Sequence, residues 1–283
     1  MTVKTWKHEA VEQLKGASVG TSWYLDARLL MEKATSLSQV EQIVSPDKEL
    51  TADELRQLEM LLEQRLEHRP MAYILGEKEF YGRLFSVNEH TLIPRSDTET
   101  IIEAVLRYAQ KRERQTITPL IDVCCGTGAI GITLAAELNI PLYLSDISEQ
   151  ALAVAHANAK VHVQSDVTLY CGDLLSPSKE KYAIIVSNPP YLTPQWCEQV
   201  SKEVSWEPRL ALDGLSGDGL ALIRTLIAQS TEKLKDEGAL FLECDYRQAK
   251  DVAALLEAHR FTQVSIEQDL SGLDRVVWGV LHV

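Results

Sequence analysis

The chain is short of positive charge. Its 283 residues carry 28 Lys and Arg against 41 Asp and Glu, a formal net charge of −13. Proteins that grip nucleic acid irrespective of sequence do so through Lys/Arg contacts with phosphates, and no Lys/Arg-rich run is present. The acidic balance works against long-range attraction to nucleic acid and permits a basic protein partner. Apolar runs are short too. None approaches the roughly 20 residues that span a bilayer, and residues 1–23 carry charge throughout with no apolar signal core, so a cytoplasmic location is expected. Cysteine is scarce: Cys124, Cys125, Cys171, Cys197 and Cys244 are odd in number and form no C-x-x-C pair. That pattern argues against a disulfide framework and structural zinc; no metal site is expected, and the five are read as reduced, mostly buried, small apolar residues. Internal repeats and low-complexity segments are absent.

What remains is a globular composition, 45% hydrophobic and 24% charged, long enough for one full α/β domain and a smaller companion. To about Pro70 the pattern is helical. Thr51-Ala52-Asp53-Glu54 reads as a capping box. Leu55, Leu58, Leu62 and Leu66 follow at helical spacing until Pro70 closes the run, and residues 23–34 place Leu25, Leu29 and Leu30 on one side. Gly16 and Gly20 punctuate the end of the first helix and its loop. Residues 78–93 change character: Phe80, Tyr81, Phe85 and Val87 flank Gly82-Arg83, read as a turn between two short strands, with a further turn at Glu89-His90. From 119 onward, apolar runs at 119–125, 142–147, 167–171, 184–187 and 239–244 alternate with helix-like segments such as 129–138, 148–159 and 219–234. Such alternation implies parallel strands with right-handed crossovers. Residues 263–268 and 275–283 read as a closing hairpin.

The first of these strands runs into Asp122-Val123-Cys124-Cys125-Gly126-Thr127-Gly128 before a helix. Glycine there lets the backbone turn tightly and approach a ligand. The loop has no Gly-Lys-Ser/Thr and no G-x-G-x-x-G, so it is neither a Walker loop nor a dinucleotide fingerprint. Asp146 closes the second strand about twenty residues later, where a carboxylate can accept from two ribose hydroxyls. Asp173 after the third strand could accept from an adenine amino group, with Leu174 covering the ring. Singly, each has a structural alternative: a tight βα turn, a helix N-cap, a turn residue. Three at successive strand ends favour a nucleoside ligand without phosphates, and S-adenosylmethionine fits.

The fourth strand ends in Asn188-Pro189-Pro190-Tyr191. Two prolines cannot continue a ladder, and they stiffen the loop where a ligand would lie. An amide or exocyclic amine nitrogen is a poor nucleophile because its lone pair is delocalised. The Asn188 side-chain oxygen and the Pro189 carbonyl can each accept one of its N–H groups, hold it, and favour positive charge developing on nitrogen. Tyr191 can stack on the flat group. The structural alternative is a rigid proline turn with a packing aromatic.

Asn-Pro-Pro-Tyr behind such a loop resembles the amino methyltransferases of DNA, RNA and protein. Further segments make the chain similar to the HemK/PrmC-type protein-(glutamine-N5) methyltransferases. They are Asp26-Ala27-Arg28-Leu29-Leu30, Pro70-Met71-Ala72-Tyr73-Ile74-Leu75-Gly76, Phe80-Tyr81-Gly82, Leu92-Ile93-Pro94-Arg95-Ser96-Asp97-Thr98-Glu99, Asp146-Ile147-Ser148, Glu207-Pro208-Arg209-Leu210-Ala211-Leu212, Gly217-Asp218-Gly219 and Gly272-Leu273-Asp274-Arg275-Val276-Val277. The resemblance covers nearly the whole chain, and the Ile-Pro-Arg and Glu-Pro-Arg segments are more specific than the tetrapeptide.

It implies an α/β fold of the class I S-adenosylmethionine-dependent type, a Rossmann-like seven-stranded sheet with an N-terminal helical bundle. The expected divisions are a helical substrate-recognition domain over 1–74, a β-hairpin linker over 75–94 and a methyltransferase domain over 95–283. It implies methyl transfer to the glutamine of the Gly-Gly-Gln motif in class 1 peptide chain release factors. The enzyme would be a monomer with no membrane partner and no direct nucleic-acid substrate. Asn188 and Pro189 would bind the glutamine amide, with Pro190 and Tyr191 shaping its pocket. Cys124, Cys125, Gly126, Thr127, Gly128, Asp146, Asp173, Leu174 and Asn188 would line the cofactor. Two departures stand out: Cys124 replaces the first glycine of the family loop, which bears on cofactor affinity, and Ser96 stands where proline is common. Arg95 and Glu207 read equally as site residues or as an ion pair. Other readings are a glutamine methyltransferase of a ribosomal protein, a DNA/RNA amino methyltransferase, and a cofactor-binding module without transfer.

Overall fold

A computed structural model describes residues 1–282, which form two compact units: Met1–Glu77 with Ser201–Trp206, and Lys78–Val200 with the chain from Glu207 onward. The first unit is helical: α1 (Val3–Gly16), α2 (Trp23–Thr35), α3 (Gln39–Val44), α4 (Ala52–Leu66) and α5 (Met71–Leu75). Val3, Trp6, Ala10, Val11 and Leu14 of α1 are buried, the three-and-four spacing of one apolar face. They pack with Ala27, Leu30 and Met31 of α2 and with Leu58 and Leu62 of α4. The capping box at the start of α4 is present: the Glu54 N–H donates to Thr51 Oγ1 at 3.2 Å and the Thr51 N–H to Glu54 Oε2 at 2.7 Å.

A buried charge also sits in this unit. Arg65 is 3% exposed and donates to Asp26 at 2.8 Å and to Glu203 at 2.8 Å. The second bond ties Ser201–Trp206 to the helices, as does the Trp206 indole N–H on the Glu67 carbonyl at 3.3 Å. Removing Arg65 would strand the buried Asp26 carboxylate without its counter-charge.

From Lys78 the second unit carries a hairpin of β1 (Glu77–Phe80), whose first residue belongs to the first unit, and β2 (Arg83–Ser86). Its turn residues are Tyr81 and Gly82, both at positive φ, so Arg83 belongs to the strand and not, as expected from sequence, to the turn. Two successive left-handed residues match the right-handed twist of the flanking strands. The main sheet holds β3 (Leu120–Val123), β4 (Leu142–Asp146), β5 (Val167–Cys171), β6 (Tyr182–Ser187), β7 (Leu234–Glu243), β8 (Phe261–Gln268) and β9 (Asp274–Leu281), in the order β5-β4-β3-β6-β7-β9-β8. Strands β3 to β7 run parallel, and β9 lies antiparallel between β7 and β8. The closing hairpin expected over 263–268 and 275–283 is thus present, though Val283 lies outside the described residues.

Side chains alternate between two cores. Leu142, Leu144, Ile184 and Val186 join one, with α6 (Glu99–Ala109), α7 (Ala129–Leu138) and α8 (Glu149–His162). Ile121, Ile185, Leu240 and Leu242 join the other, with α10 (Ala221–Lys233) and α11 (Ala249–Ala258). The short α9 (Pro194–Glu198) follows β6. Helices cover both faces, which is why the parallel strands read as unbroken apolar runs.

One contact sets how closely α7 approaches the sheet. A Cβ added to Gly131 would lie 2.7 Å from the Asp122 Cβ and 2.9 Å from Leu142. The bare glycine lets its N–H donate to the Asp122 carboxylate at 2.9 Å. Gly128, the N-cap of α7, has no side chain to satisfy that amide; Asp122 supplies the missing acceptor from the strand. Asp122 is fully buried and its carboxyl is pushed up to about 7, chiefly by burial, with the Gly131 N–H pulling it down and Asp146 adding repulsion.

Two outcomes are expected. Gly131→Ala destabilises the protein by about 1–3 kcal/mol through overpacking, read as a lower urea midpoint. For the carboxyl, the folded-state pKa lies above the unfolded value, so the native state holds the extra proton and stability declines as pH rises. The melting temperature of the protein relative to Asp122→Asn should therefore fall between about pH 4 and pH 7. A pH-independent difference would show that Asp122 does not titrate in that window.

Candidate active site

The parallel strands end in register. Val123 pairs with Ser145 and with Ser187, Asp146 with Cys171, and Ser187 with Leu242. The chain order reverses between β3 and β6, so the loops after these two strands diverge and leave a crevice. A cavity of about 540 Å³ opens there, within the range of small-molecule sites.

Of the residues singled out from sequence, Cys124, Cys125, Gly126, Thr127, Asp146, Asp173, Leu174, Asn188 and Pro190 line this cavity. Gly128, Pro189 and Tyr191 are not in its wall. Gly128 sits at φ 77°, and a Cβ there would lie 2.7 Å from Ile132 and 3.3 Å from Ala155, so it serves the packing of α7. The Tyr191 ring is half-buried and packs against the α10–α11 core. Sequence reasoning left Thr98 out of the site and did not decide on Arg95, yet both are in the wall.

The β3–α7 loop alternates into the left-handed region: Cys124 at φ 57°, Gly126 at 53°, Gly128 at 77°. Two of the three are glycine, which adopts this conformation without strain; Cys124 holds it with a side chain. Asp146 fastens the loop, since its Oδ2 accepts from the Gly126 N–H at 2.9 Å and its Oδ1 from the Ser148 N–H at 3.0 Å. The N-cap of α8 is Ser148, whose hydroxyl accepts from Ala151, so Asp146 is not committed to capping. Burial raises its pKa, and the Ser148 and Gly126 amides pull it back. After β5, the Ser145 hydroxyl donates to the Leu174 carbonyl at 2.6 Å.

The cysteines need a correction. Cys125 and Cys244 are buried, Cys124 and Cys197 are half-buried, and Cys171 is exposed, so burial describes only two of the five. All are free. Burial, then the charges of Asp146 and Asp122, pushes the Cys124 thiol far up, and Cys125 likewise. Neither is a thiolate nucleophile.

The Asn-Pro-Pro-Tyr segment is clamped from behind. The Ser187 hydroxyl donates to the Val123 carbonyl at 2.6 Å. Leu192 exchanges hydrogen bonds with the 212–214 loop, its N–H to the Leu212 carbonyl and its carbonyl from the Gly214 N–H, both 2.9 Å. The buried Gln248 donates to the Tyr191 carbonyl at 2.9 Å and to the Asp218 carbonyl at 2.8 Å. Gly219 comes so close to the Tyr191 carbonyl that an added Cβ would lie 2.1 Å away. Asn188 Nδ2 reaches Thr98 Oγ1 at 3.5 Å, and the Tyr191 hydroxyl donates to Glu243 Oε1 at 3.3 Å. Opposite, buried Glu207 accepts from the Ile93 N–H at 3.0 Å and from the Arg95 guanidinium. That makes Arg95–Glu207 an ion pair that also presents Arg95 to the cavity.

The donor set fits S-adenosylmethionine. The loop carries backbone and small side chains with no lysine for a phosphate, and a Cβ on Gly126 would meet nothing within 4 Å. A carboxylate at the end of β4 faces the same space.

The comparisons agree. Residues 5–76 match the profile described as the PrmC N-terminal domain, and residues 103–207 the methyltransferase small domain. Among solved structures, a methyltransferase from Pyrococcus furiosus superposes with a TM-score of 0.52 at 12% identity, over 81% of this chain and 99% of that one. The catalytic domain of human Mettl16 gives 0.54 at 13%, over 70% and 76%. These show the fold. The release factor glutamine methyltransferase of Flavobacterium psychrophilum is 32% identical over 98% of each chain. That of Neisseria gonorrhoeae is 37% identical over 90% of this chain and 92% of its own, and that of Enterococcus faecalis 39% over 81% and 82%. Relatives that match the helical unit and the sheet together over such lengths place this chain in one family: it belongs to the release factor glutamine methyltransferases.

Proposed function

We propose that this chain transfers the methyl group of S-adenosylmethionine to the side-chain amide nitrogen, N5, of the glutamine in the Gly-Gly-Gln motif of class 1 peptide chain release factors. The observation that carries the reading is that Asn188, at the end of β6, lines the same cavity as the Cys124–Gly128 loop and Asp146. The family to which the chain belongs supplies the methyl donor and the substrate class.

S-adenosylmethionine supplies a methyl group already activated on a sulfonium. The residues of this chain have the harder partner to prepare. Asn188 Oδ1 and the Pro189 carbonyl each accept one N–H of the glutamine amide, which fixes the nitrogen and stabilises the positive charge that develops there. Pro190 in the wall and the proline-stiffened backbone hold these two mutually repelling acceptors close enough to share one amide. Residues 124–127 and Asp146 hold the amino-acid and ribose portions of the donor, and Asp173 with Leu174 holds its base. Gly128 shapes the loop from the helix side, and Tyr191 orders the segment through Glu243. In this reading the enzyme acts as a monomer on a protein in the cytoplasm, without a nucleic-acid substrate.

Two measurements test it. Asn188→Ala should lower turnover by about 100-fold or more, in the range lost when one preorganised polar group is removed from a developing charge. Binding of S-adenosylhomocysteine by calorimetry should stay near that of the parent. An active Asn188→Ala enzyme would remove Asn188 from the chemistry. Separately, purified release factor incubated with enzyme and donor should gain one methyl group by mass spectrometry, on the Gly-Gly-Gln glutamine, and a factor with that glutamine substituted should gain none. Methylation of a ribosomal protein or of DNA in place of the factor would reassign the substrate.

A further inference from the structure

The loop that follows the Arg95–Glu207 pair places two leucines at the edge of the cavity. Leu210 and Leu215 both line it, and both stay open to solvent, at 56% and 65% of full exposure. A side chain that faces the cavity and the outside at once stands at its mouth. Among the described residues, neither leucine joins a hydrophobic core. Single exposed leucines are ordinary on a protein surface. Two on one loop, at the mouth of an active site, form an apolar lip. Leu92, Pro94, Pro208 and Ala211 add apolar surface to the same cavity.

Leu215 also holds a conformation that leucine avoids. Its φ is 61°, in the left-handed region where Cβ crowds the following carbonyl. Hydrogen bonds on both sides keep it there. The Gly214 N–H donates to the Leu192 carbonyl at 2.9 Å, and the Gly214 carbonyl accepts from the Ala221 N–H at 3.2 Å. The Leu215 N–H donates to Asp213 Oδ1 at 2.9 Å. Beyond it, the Ser216 carbonyl accepts from Gly219 at 3.0 Å and the Ser216 hydroxyl from Leu220 at 3.1 Å. Glycine would take this φ without strain, and an exposed leucine gains no core packing in return. Backbone outliers of this kind gather where proteins bind or react.

Leu210 is fixed as well. It sits in a 3-10 turn, Arg209–Ala211, where the Ala211 N–H donates to the Pro208 carbonyl at 2.9 Å. The whole loop is tied to the reacting segment, because Leu192, next after Tyr191, forms a parallel bridge with Asp213. The lip and the Asn-Pro-Pro-Tyr segment therefore keep a fixed spacing. The loop's charges are paired with each other: the Arg209 guanidinium lies 3.4 Å from Asp213. The lip offers apolar surface with its neighbouring cation already engaged, which suits a protein chain and not the phosphates of a nucleic acid.

We propose that Leu210 and Leu215 form a docking lip for the protein substrate, an apolar contact with the residues that flank the methylated glutamine. The inference rests on the reading of the release factor as substrate. The donor lies against the ends of β3 to β5, so the lip serves the factor alone. A contact of this kind is made alike before and during methyl transfer, so its loss raises KM and leaves kcat in place.

Leu210→Ser, Leu215→Gly and the double variant, compared with the parent on purified release factor, give the readout. Each single change should raise KM for the factor by about 10-fold, the scale of one apolar side chain lost from a contact. Turnover at saturating factor and calorimetric binding of S-adenosylhomocysteine should stay near those of the parent. Leu215→Gly also relieves the strain at φ 61°, so its melting temperature should hold or rise, whereas a leucine kept for packing would lower it on removal. Leu215→Asn, which tolerates the left-handed region, should repeat the rise in KM. An unchanged KM in the double variant, with a parent that methylates the factor, overturns the lip and leaves the substrate reading standing. A parent that leaves the factor unmethylated overturns both.

Discussion

The hydrogen bond from the Gly131 amide to the buried Asp122 carboxylate fixes the geometry on which the site depends. It can form only because residue 131 has no Cβ, which lets the first turn of α7 press onto β3 and β4. The Cys124–Gly128 loop spans the short distance between the end of β3 and that turn, so its path follows from how close the helix comes. The left-handed conformations at Cys124, Gly126 and Gly128 are what a five-residue reversal over so short a gap demands. Asp146 then ties the middle of the loop to the end of β4. Two carboxylates on adjacent strands thus hold one loop from below and from the side.

The second half of the site is held by the same means with different donors. Beyond β6 the chain cannot pair, because prolines 189 and 190 offer no amide hydrogen. Its order comes from side chains and from the 212–219 loop: Ser187 on the Val123 carbonyl, Gln248 on the Tyr191 carbonyl, Glu243 on the Tyr191 hydroxyl. None of these partners is near the tetrapeptide in sequence. The rigidity belongs to contacts made by β7, by α11 and by the residues before α6, and the tetrapeptide inherits it.

This distribution explains what could be read from the sequence. The parallel strands were legible because burial on both faces leaves unbroken apolar runs, and Asp146 and Asn188 because they sit where those runs stop. Helices α6 and α11 were not singled out. The burial of Ile101, Ile102, Val105 and Tyr108 does follow helical spacing, but the segment stands between motifs that drew the attention. Thr98 and Glu243 were not singled out either, because nothing in the sequence marks the one as facing the cavity or the other as buried. Only the fold reveals that Thr98 lines the cavity and that the glutamate is buried. The segment Ser201–Trp206 likewise has no sequence mark that groups it with the helices; the Glu203–Arg65 pair across 138 positions does that. Tyr191 illustrates the converse. Its aromatic ring suggested stacking on a substrate, and the fold adds packing on the α10–α11 core and a hydrogen bond to buried Glu243 that the sequence did not show.

Asp122, Asp146 and Glu243 share one further property: each stands at or near the carboxyl end of a parallel strand, and burial raises the pKa of all three. Asp146 lines the cavity while Asp122 and Glu243 are buried outside its wall, and carboxylates so placed are costly to keep charged. That cost is a selectivity device as well as a burden. A phosphate brought to this wall would add repulsion to desolvation, and no lysine in the loop is present to offset it. A sulfonium has the opposite sign, so its field favours the ionised form of the same groups. The acidic strand ends therefore discriminate by charge between the ligands that open α/β sheets bind at this edge, before any specific hydrogen bond is made.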